Sequence, residues 1–220
     1  MRNILLYQNV SDFVADQGEA NHVNSIIPGV GYVRQDEGVR YNRKKGPILK
    51  VVYITTFEDQ VVLCPQVDNV GLTLNGEVWD GQPYTAHTPG RFVIEMELEE
   101  GTTELCGSIL DSDEIYVPEG ITHICGGLTG GGTGEGVKGK IYLPSTLQEI
   151  GSETEGPSFA CYWGTMNEIT CLATVAPVIR DNYEFYNVPQ TGTLYRPAGS
   201  DYSSWFGGNH LPNTWTEENI

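Results

Sequence analysis

The sequence predicts a mostly β protein in which a small β-sandwich precedes a short solenoid of stacked coils. Short segments rich in β-branched and aromatic residues alternate with turn residues over 47–100, a spacing typical of sandwiches. In the second half, a four-residue pattern recurs about every 26 residues, and a period of this length indicates a solenoid. The 27 Gly and 12 Pro among 220 residues agree with a chain dominated by turns.

The net charge of −17, from 12 basic and 29 acidic residues, argues against nucleic-acid binding. Neutralising phosphates needs Lys and Arg, which are scarce here. No run approaches the 18 apolar residues of a membrane-spanning helix, so no membrane insertion is predicted. The apolar run after Arg2 is too short for a secretory signal, and we therefore expect the chain to begin in a cytosol.

Residues 1–46 differ from the rest of the chain in charge. Residues 1–50 hold seven basic and five acidic side chains, whereas residues 51–220 hold five basic and 24 acidic ones. A Pro28-Gly29 turn precedes predicted extended segments around Tyr32 and over Gly38–Asn42. This segment has too few apolar residues to hold a core alone, so we expect it to need a partner and to anchor the protein. The simpler alternative for the basic residues over 40–50 is a solvated linker.

The segment 47–100 is predicted to be antiparallel β-sheet. Lys50–Thr56 is rich in β-branched and aromatic residues. Asn75-Gly76, between two short apolar segments, is the strongest short-range hairpin signal. Apolar and other residues alternate over Phe92–Leu98, which predicts a half-buried strand.

The solenoid prediction depends on a repeated strand. Ile115-Tyr116-Val117-Pro118 recurs as Ile141-Tyr142-Leu143-Pro144, and strands beginning at Ile169 and Leu194 continue the series. A chance recurrence is the alternative, but downstream Ile and Gly residues match as well. The alignment predicts that Ile124 and Ile150 occupy equivalent inward positions. The insertion 126–139, with eight Gly in fourteen residues, is expected to be a flexible surface loop or, as the lesser alternative, a subunit contact.

No motif for catalysis or for a resident cofactor emerges. The four His lie in separate segments without metal-ligand spacing, and nothing singles out a carboxylate pair such as Asp111 and Asp113 from the other acidic residues. We therefore expect a non-enzymatic protein that holds no metal or cofactor. The five cysteines have no CxxC spacing and are expected to be buried free thiols: Cys64, Cys106, Cys125, Cys161 and Cys171.

Aromatic residues are concentrated near the C-terminus around Gly207-Gly208. Two roles are open for them. They could cap the last apolar layer of the solenoid, or they could form a ligand or receptor surface on which sugar rings stack. The residues concerned are Tyr202, Trp205, Phe206 and Trp215.

Residues 101–220 resemble the BspA-type leucine-rich repeats common in Bacteroidetes and their phages. The similarity is carried by residues 116–126 and 142–151, by the shorter Phe159-Ala160-Cys161, by the Ile-Thr-Cys-Leu-Ala-Thr stretch at 169–174, and by the Gly-Thr-Leu-Tyr-x-Pro-Ala-Gly-Ser stretch at 192–200 with Trp205 and Trp215. The resemblance implies a short leucine-rich-repeat β-solenoid over 101–192 and a C-terminal cap over 193–220.

Two weaker resemblances concern the first hundred residues. Residues 47–100 are similar to the small Ig-like module that often precedes such repeats. Residues 1–46, with Gly29–Val33 and Val39–Asn42, are similar to the N-termini of crAss-like and other Bacteroidetes phage fibre proteins. The resemblance implies an anchoring segment, an Ig-like sandwich, a solenoid and a cap, in that order.

Taken together, the resemblances imply a virion protein assembled in the host bacterial cytoplasm: a head-fibre or capsid-decorating protein that contacts host protein or glycan. We expect a homotrimer, since the N-terminal segment must borrow burial from neighbouring copies; a monomer held by a different capsid protein is the alternative. A bacterial surface leucine-rich-repeat adhesin is the alternative. The expected capsid-anchoring residues are Ile26, Ile27, Tyr32, Arg40, Tyr41, Arg43, Lys44 and Lys45.

Overall fold

The computed structural model describes residues 32–35, 38–41, 46–129, 137–152, 159, 166–180, 183–185, 187–208 and 210–220. The chain divides into two compact units, Met1–Lys45 and Gly46–Ile220. In the described part of the first unit, strand β1 (Tyr32–Gln35) pairs antiparallel with β2 (Gly38–Tyr41). The second unit is called the β body below.

The described residues of the β body form three sheets and a single 3-10 turn at Ser203–Trp205. The protein is thus mostly β, as predicted. The strands are β3 (Ile48–Thr55), β4 (Gln60–Val62), β5 (Gly71–Leu74), β6 (Glu77–Val78), β7 (Tyr84–Ala86), β8 (Gly90–Glu97), β9 (Glu104–Leu105), β10 (Glu114–Tyr116), β11 (His123–Ile124), β12 (Lys140–Leu143), β13 (Glu149–Ile150), β14 (Glu168–Cys171), β15 (Val178–Ile179), β16 (Thr193–Arg196) and β17 (Thr216–Asn219).

Two parallel ladders build a solenoid of about three turns, which confirms the predicted stack of coils. Successive coils contribute β10, β12, β14 and β16 to a nine-stranded sheet, and β9, β11, β13 and β15 to a four-stranded sheet. The four repeat strands align at Ile115, Ile141, Ile169 and Leu194. On the second ladder, Ile124 pairs directly with Ile150, and both are fully buried, so their predicted equivalence is confirmed.

Alternation along the repeat strands separates core from surface. In β12, Ile141 and Leu143 are buried while Lys140 and Tyr142 are only half-buried, as the period of two in a strand requires. The same alternation in β8 buries Phe92, Ile94 and Met96.

Strands from residues 47–100, which precede the solenoid, belong to the same nine-stranded sheet as the repeat strands. β3 pairs antiparallel with β8 on one side and with β10 on the other, and one hydrophobic core extends from Leu49 to Trp215. The predicted Asn-Gly hairpin is confirmed: Asn75 and Gly76 have φ of 51° and 85°, and they connect β5 to β6. The Ig-like identity of this segment and the domain boundaries at 100 and 192 stay predictions.

Within the described ranges, no helix has the length and apolar character needed to cross a lipid bilayer. Half of the glycine-rich insertion, residues 130–136, lies outside those ranges. Its two flanks are anchored, because Leu128 and Val137 are fully buried.

Candidate functional site

The outward face of the nine-stranded sheet carries aromatic side chains in register across neighbouring coils. Tyr116 lies opposite Tyr142. Tyr195 lies two strands further along the same row, with Thr170 between it and Tyr142. We call these three tyrosines the tyrosine row. The rings of Tyr116 and Tyr142 stack with their centroids 4.3 Å apart and 4° between their planes. The Nζ of Lys50 lies 5.9 Å from the Tyr116 centroid, within the range of a cation–π contact.

The charged side chains beside the tyrosine row are engaged with one another. Arg91 pairs with Glu114 at 3.2 Å, and Lys140 pairs with Glu168 at 3.0 Å. The Tyr116 hydroxyl donates a hydrogen bond to Glu114 at 2.8 Å. Partial burial and this bond raise the pKa of Tyr116. The hydrogen bond to Glu168 raises the pKa of Lys140. The Lys140–Glu168 pair links two neighbouring coils, whereas the Arg91–Glu114 pair reaches across β3 from β8 to β10.

Of the two roles open for the C-terminal aromatic residues, burial of three of the four agrees with the cap and leaves little surface for a ligand. Tyr202, Trp205 and Trp215 are 1%, 0% and 5% exposed, because they cover the last apolar layer of the solenoid; only Phe206 is partly exposed. Burial also raises the pKa of Tyr202. Each buried ring donates its polar hydrogen to a backbone carbonyl oxygen: Tyr202 to Ala173 at 2.7 Å, Trp205 to Pro177 at 2.9 Å and Trp215 to Pro189 at 2.7 Å.

A cavity of about 470 Å³ lies between described residues of 185–190 and of 207–214. The second range joins Trp205 to Trp215 in sequence, and in the first, Phe185 packs against Trp205. We call this cavity the cap cavity. Its lining residues are Phe185, Asn187, Val188, Gln190, Gly207, Gly208, His210, Pro212, Asn213 and Thr214. Half of them carry amide, imidazole or hydroxyl groups, so the cavity offers several hydrogen-bonding partners to a small ligand.

Backbone hydrogen bonds hold the walls of the cap cavity in place. The Gly207 N–H donates to the Leu211 carbonyl at 2.9 Å, and the His210 N–H donates to the Gly207 carbonyl at 3.1 Å. The Thr214 hydroxyl donates to the Gln190 carbonyl, which joins the two loops. Gly207 and Gly208 have φ of 85° and 59°, in the left-handed region that glycine adopts without a steric penalty.

The predicted anchoring residues fall in the first unit. Tyr32 lies directly opposite Tyr41 across the β1–β2 pair, and Arg40 lies opposite Val33. The other predicted anchoring residues lie outside the described residues: Ile26, Ile27, Arg43, Lys44 and Lys45. Anchoring stays a prediction for the whole set.

The prediction of free buried thiols is wrong for two cysteines. Cys106 and Cys125 form a disulfide, with their Cα atoms 4.9 Å apart. Each follows the last residue of a short strand in neighbouring coils, so the ladder brings the two together. Cys171 is free and buried, as predicted, and burial raises its pKa. Cys64 is free but only half-buried, and Cys161 lies outside the described residues.

Two acidic residues before β10, Asp111 and Asp113, have structural roles in the turn that leads into this strand. Asp111 occupies a left-handed turn with φ of 55°. Asp113 accepts a hydrogen bond from the Ile54 N–H at 2.5 Å, which ties the turn to β3. Burial raises the pKa of Asp113, against the lowering effect of that bond. In the part of the chain that the structure describes, no group of three or more His, Cys, Asp and Glu side chains could hold a metal ion.

Comparisons with protein-family models, curated protein sequences and solved structures find no match to this chain.

Sequence reasoning missed both the tyrosine row and the cap cavity. The row had a signal, since the recurring Tyr-x-Pro places each tyrosine one residue after an inward Ile or Leu. The cavity had none, because its walls come from two irregular loops whose approach depends on the packing of the last coil.

Proposed function

We propose that this protein is a non-enzymatic structural component of a phage virion, a head-fibre or capsid-decorating protein anchored by residues 1–46. One observation carries the proposal: the chain divides at residue 45 into parts of different charge. The β body holds six basic and 24 acidic residues, whereas residues 1–45 hold six basic and five acidic ones. A strongly acidic body with its own core is suited to solvent exposure, and the separate segment is suited to attachment.

The attachment segment is expected to need a partner, because a unit that ends at Lys45 is too short to bury a sizeable core of its own. A capsid protein or neighbouring copies of the chain would supply the missing burial. Three copies around a symmetry axis satisfy every copy of such an interface, and this supports a homotrimer. Tyr32, Arg40 and Tyr41 of the β1–β2 pair, with Lys44 and Lys45 beyond it, are the proposed contact residues.

The Cys106–Cys125 disulfide bears on the final location of the protein. Disulfides persist in oxidising surroundings, including virion and cell surfaces, and are rare in the cytosol. A virion protein assembled in the bacterial cytoplasm reaches such surroundings on release from the cell. A bacterial surface leucine-rich-repeat adhesin would reach them as well, so the disulfide favours an exposed location without separating these two functions.

Mass spectrometry of gradient-purified phage particles from cells that express the chain separates the two functions. The proposal predicts that the chain co-purifies with particles, and that Lys44→Glu/Lys45→Glu lowers its incorporation. The matched control is Gln82→Glu/Val175→Glu, which adds two negative charges at exposed positions of the β body and should incorporate normally. Recovery of the chain in the cell envelope with none in particles would favour the adhesin.

A further inference from the structure

We propose that the cap cavity binds a neutral, hydroxyl-rich ligand, namely a terminal sugar of a glycan. The biological role of this site rests on the proposed display function, because a displayed body is placed to meet glycans on a host surface. Ligand recognition is thereby assigned to the polar cavity beside the C-terminal aromatic rings and not to the buried rings themselves.

The chemistry of the lining selects a neutral ligand. None of the described lining residues is a Lys, Arg, Asp or Glu. Side-chain amides such as those of Asn187, Gln190 and Asn213 each offer donors and acceptors, which matches sugar hydroxyl groups that also donate and accept. A phosphate or carboxylate would call for Arg or Lys, and the acidic β body repels anions.

The cavity is accessible at its rim and firmly packed beneath. Asn187, Gln190 and Asn213 are exposed, so their amides can reach a ligand from solvent. Beneath them, Phe185 is buried and packs against Trp205 with ring centroids 5.4 Å apart. The exposed rim therefore lies over the buried last layer of the solenoid.

The size and rigidity of the cavity also fit a small ligand. Its volume of about 470 Å³ lies within the range of roughly 300–1,000 Å³ typical of small-molecule sites. The hydrogen bonds at Gly207, His210 and Thr214 are formed without a ligand, which reduces the ordering entropy lost on binding.

The tyrosine row is the competing location for a sugar, since aromatic rings often contact sugars. The rings of Tyr116 and Tyr142 stack on each other, and the Tyr116 hydroxyl is already bonded to Glu114. A ligand there would compete with contacts that hold adjacent coils together. The cap cavity requires no such exchange.

Nuclear magnetic resonance of the ¹⁵N-labelled full chain tests the proposal, with D-galactose and N-acetyl-D-glucosamine as neutral probes and N-acetylneuraminic acid as the anionic one. We expect a neutral sugar at millimolar concentration to shift the side-chain amide signals of Asn187, Gln190 and Asn213. Gln190→Ala and Asn213→Ala each remove one hydrogen-bonding group and should weaken binding about three- to tenfold. Gln82→Ala, at an exposed glutamine outside the cavity, should leave binding unchanged.

Three results would overturn the proposal: no shifts with either neutral sugar, equal binding of the anionic sugar, or shifts centred on Tyr116 and Tyr142. Each of these is independent of whether the chain incorporates into particles. Loss of incorporation with intact sugar binding would count against the proposed function and leave the cavity assignment standing.

Discussion

Replacement of Ile150 by Ala tests the stacking of the coils. Ile150 is fully buried and lies between Ile124 on one neighbouring strand and Ile179 on the other. Truncating a buried Ile to Ala typically costs 2–5 kcal/mol, so we expect a loss of about 3 kcal/mol in the free energy of unfolding. For a unit of this size, that loss lowers Tm by about 6–12 °C.

Val178→Ala is the matched control from the same ladder. Val178 is 52% exposed and lies opposite Glu149, one residue out of phase with the buried column. Its truncation should change stability by at most about 0.5 kcal/mol. A third variant, Ile124→Ala/Ile150→Ala, should deviate from additivity by about 0.5–3 kcal/mol, because the two side chains are direct neighbours.

Urea unfolding followed by tryptophan fluorescence and circular dichroism measures these differences. Ile150→Asp should be more damaging than Ile150→Ala, since it buries an unpaired charge at a cost of several kcal/mol. The inward assignment of this column would be refuted if Ile150→Ala and Val178→Ala had equal effects, or if Ile150→Asp melted within a degree of the unchanged protein.

Three further predictions concern the β body. Cys106→Ser/Cys125→Ser should lose about 3 kcal/mol of stability, because the disulfide closes a 19-residue separation; urea unfolding measures the loss. Gly192→Ala should lower Tm, because its Cβ would lie 2.5 Å from the Trp215 ring; differential scanning calorimetry checks it. Burial raises the folded-state pKa of Asp113, so its stabilising contribution is complete below its unfolded pKa and declines as pH rises through the folded value. The difference in unfolding free energy between the unchanged protein and Asp113→Asn should therefore fall over that window.

Each of these predictions has a control. Dithiothreitol should destabilise the unchanged protein and leave the double serine variant unaffected; equal responses would contradict the disulfide. Gly71→Ala meets only ordinary contacts at 3.5 Å, and if it were as damaging as Gly192→Ala, the steric argument would fail. A pH-independent difference for Asp113→Asn would show that this carboxyl does not change its proton affinity on folding.

The coils could be predicted because their signal is local and repeated. Alternation within four residues fixes which side chain points inward, and recurrence of Ile115 at Ile141 fixes the parallel register between coils. The hairpin at Asn75-Gly76 is likewise a local matter of turn geometry.

What escaped prediction depends on contacts between distant segments. The pairing of β3 with β10 has no local signature, so the sandwich segment and the solenoid were expected as separate modules. The concentration of aromatic residues near Trp205 did not show whether their rings are buried or exposed. The Cys106–Cys125 pair matches no short motif and becomes evident only when neighbouring coils are aligned.

Cryo-electron microscopy of the virion, with a gold-labelled antibody fragment against the β body, tests the central proposal most directly. It locates the protein and counts its copies at each attachment point. We expect the β body outside the shell, residues 1–46 at the shell surface, and three copies around each point. A single copy at each point would contradict the trimer, and particles without the label would contradict the virion function itself.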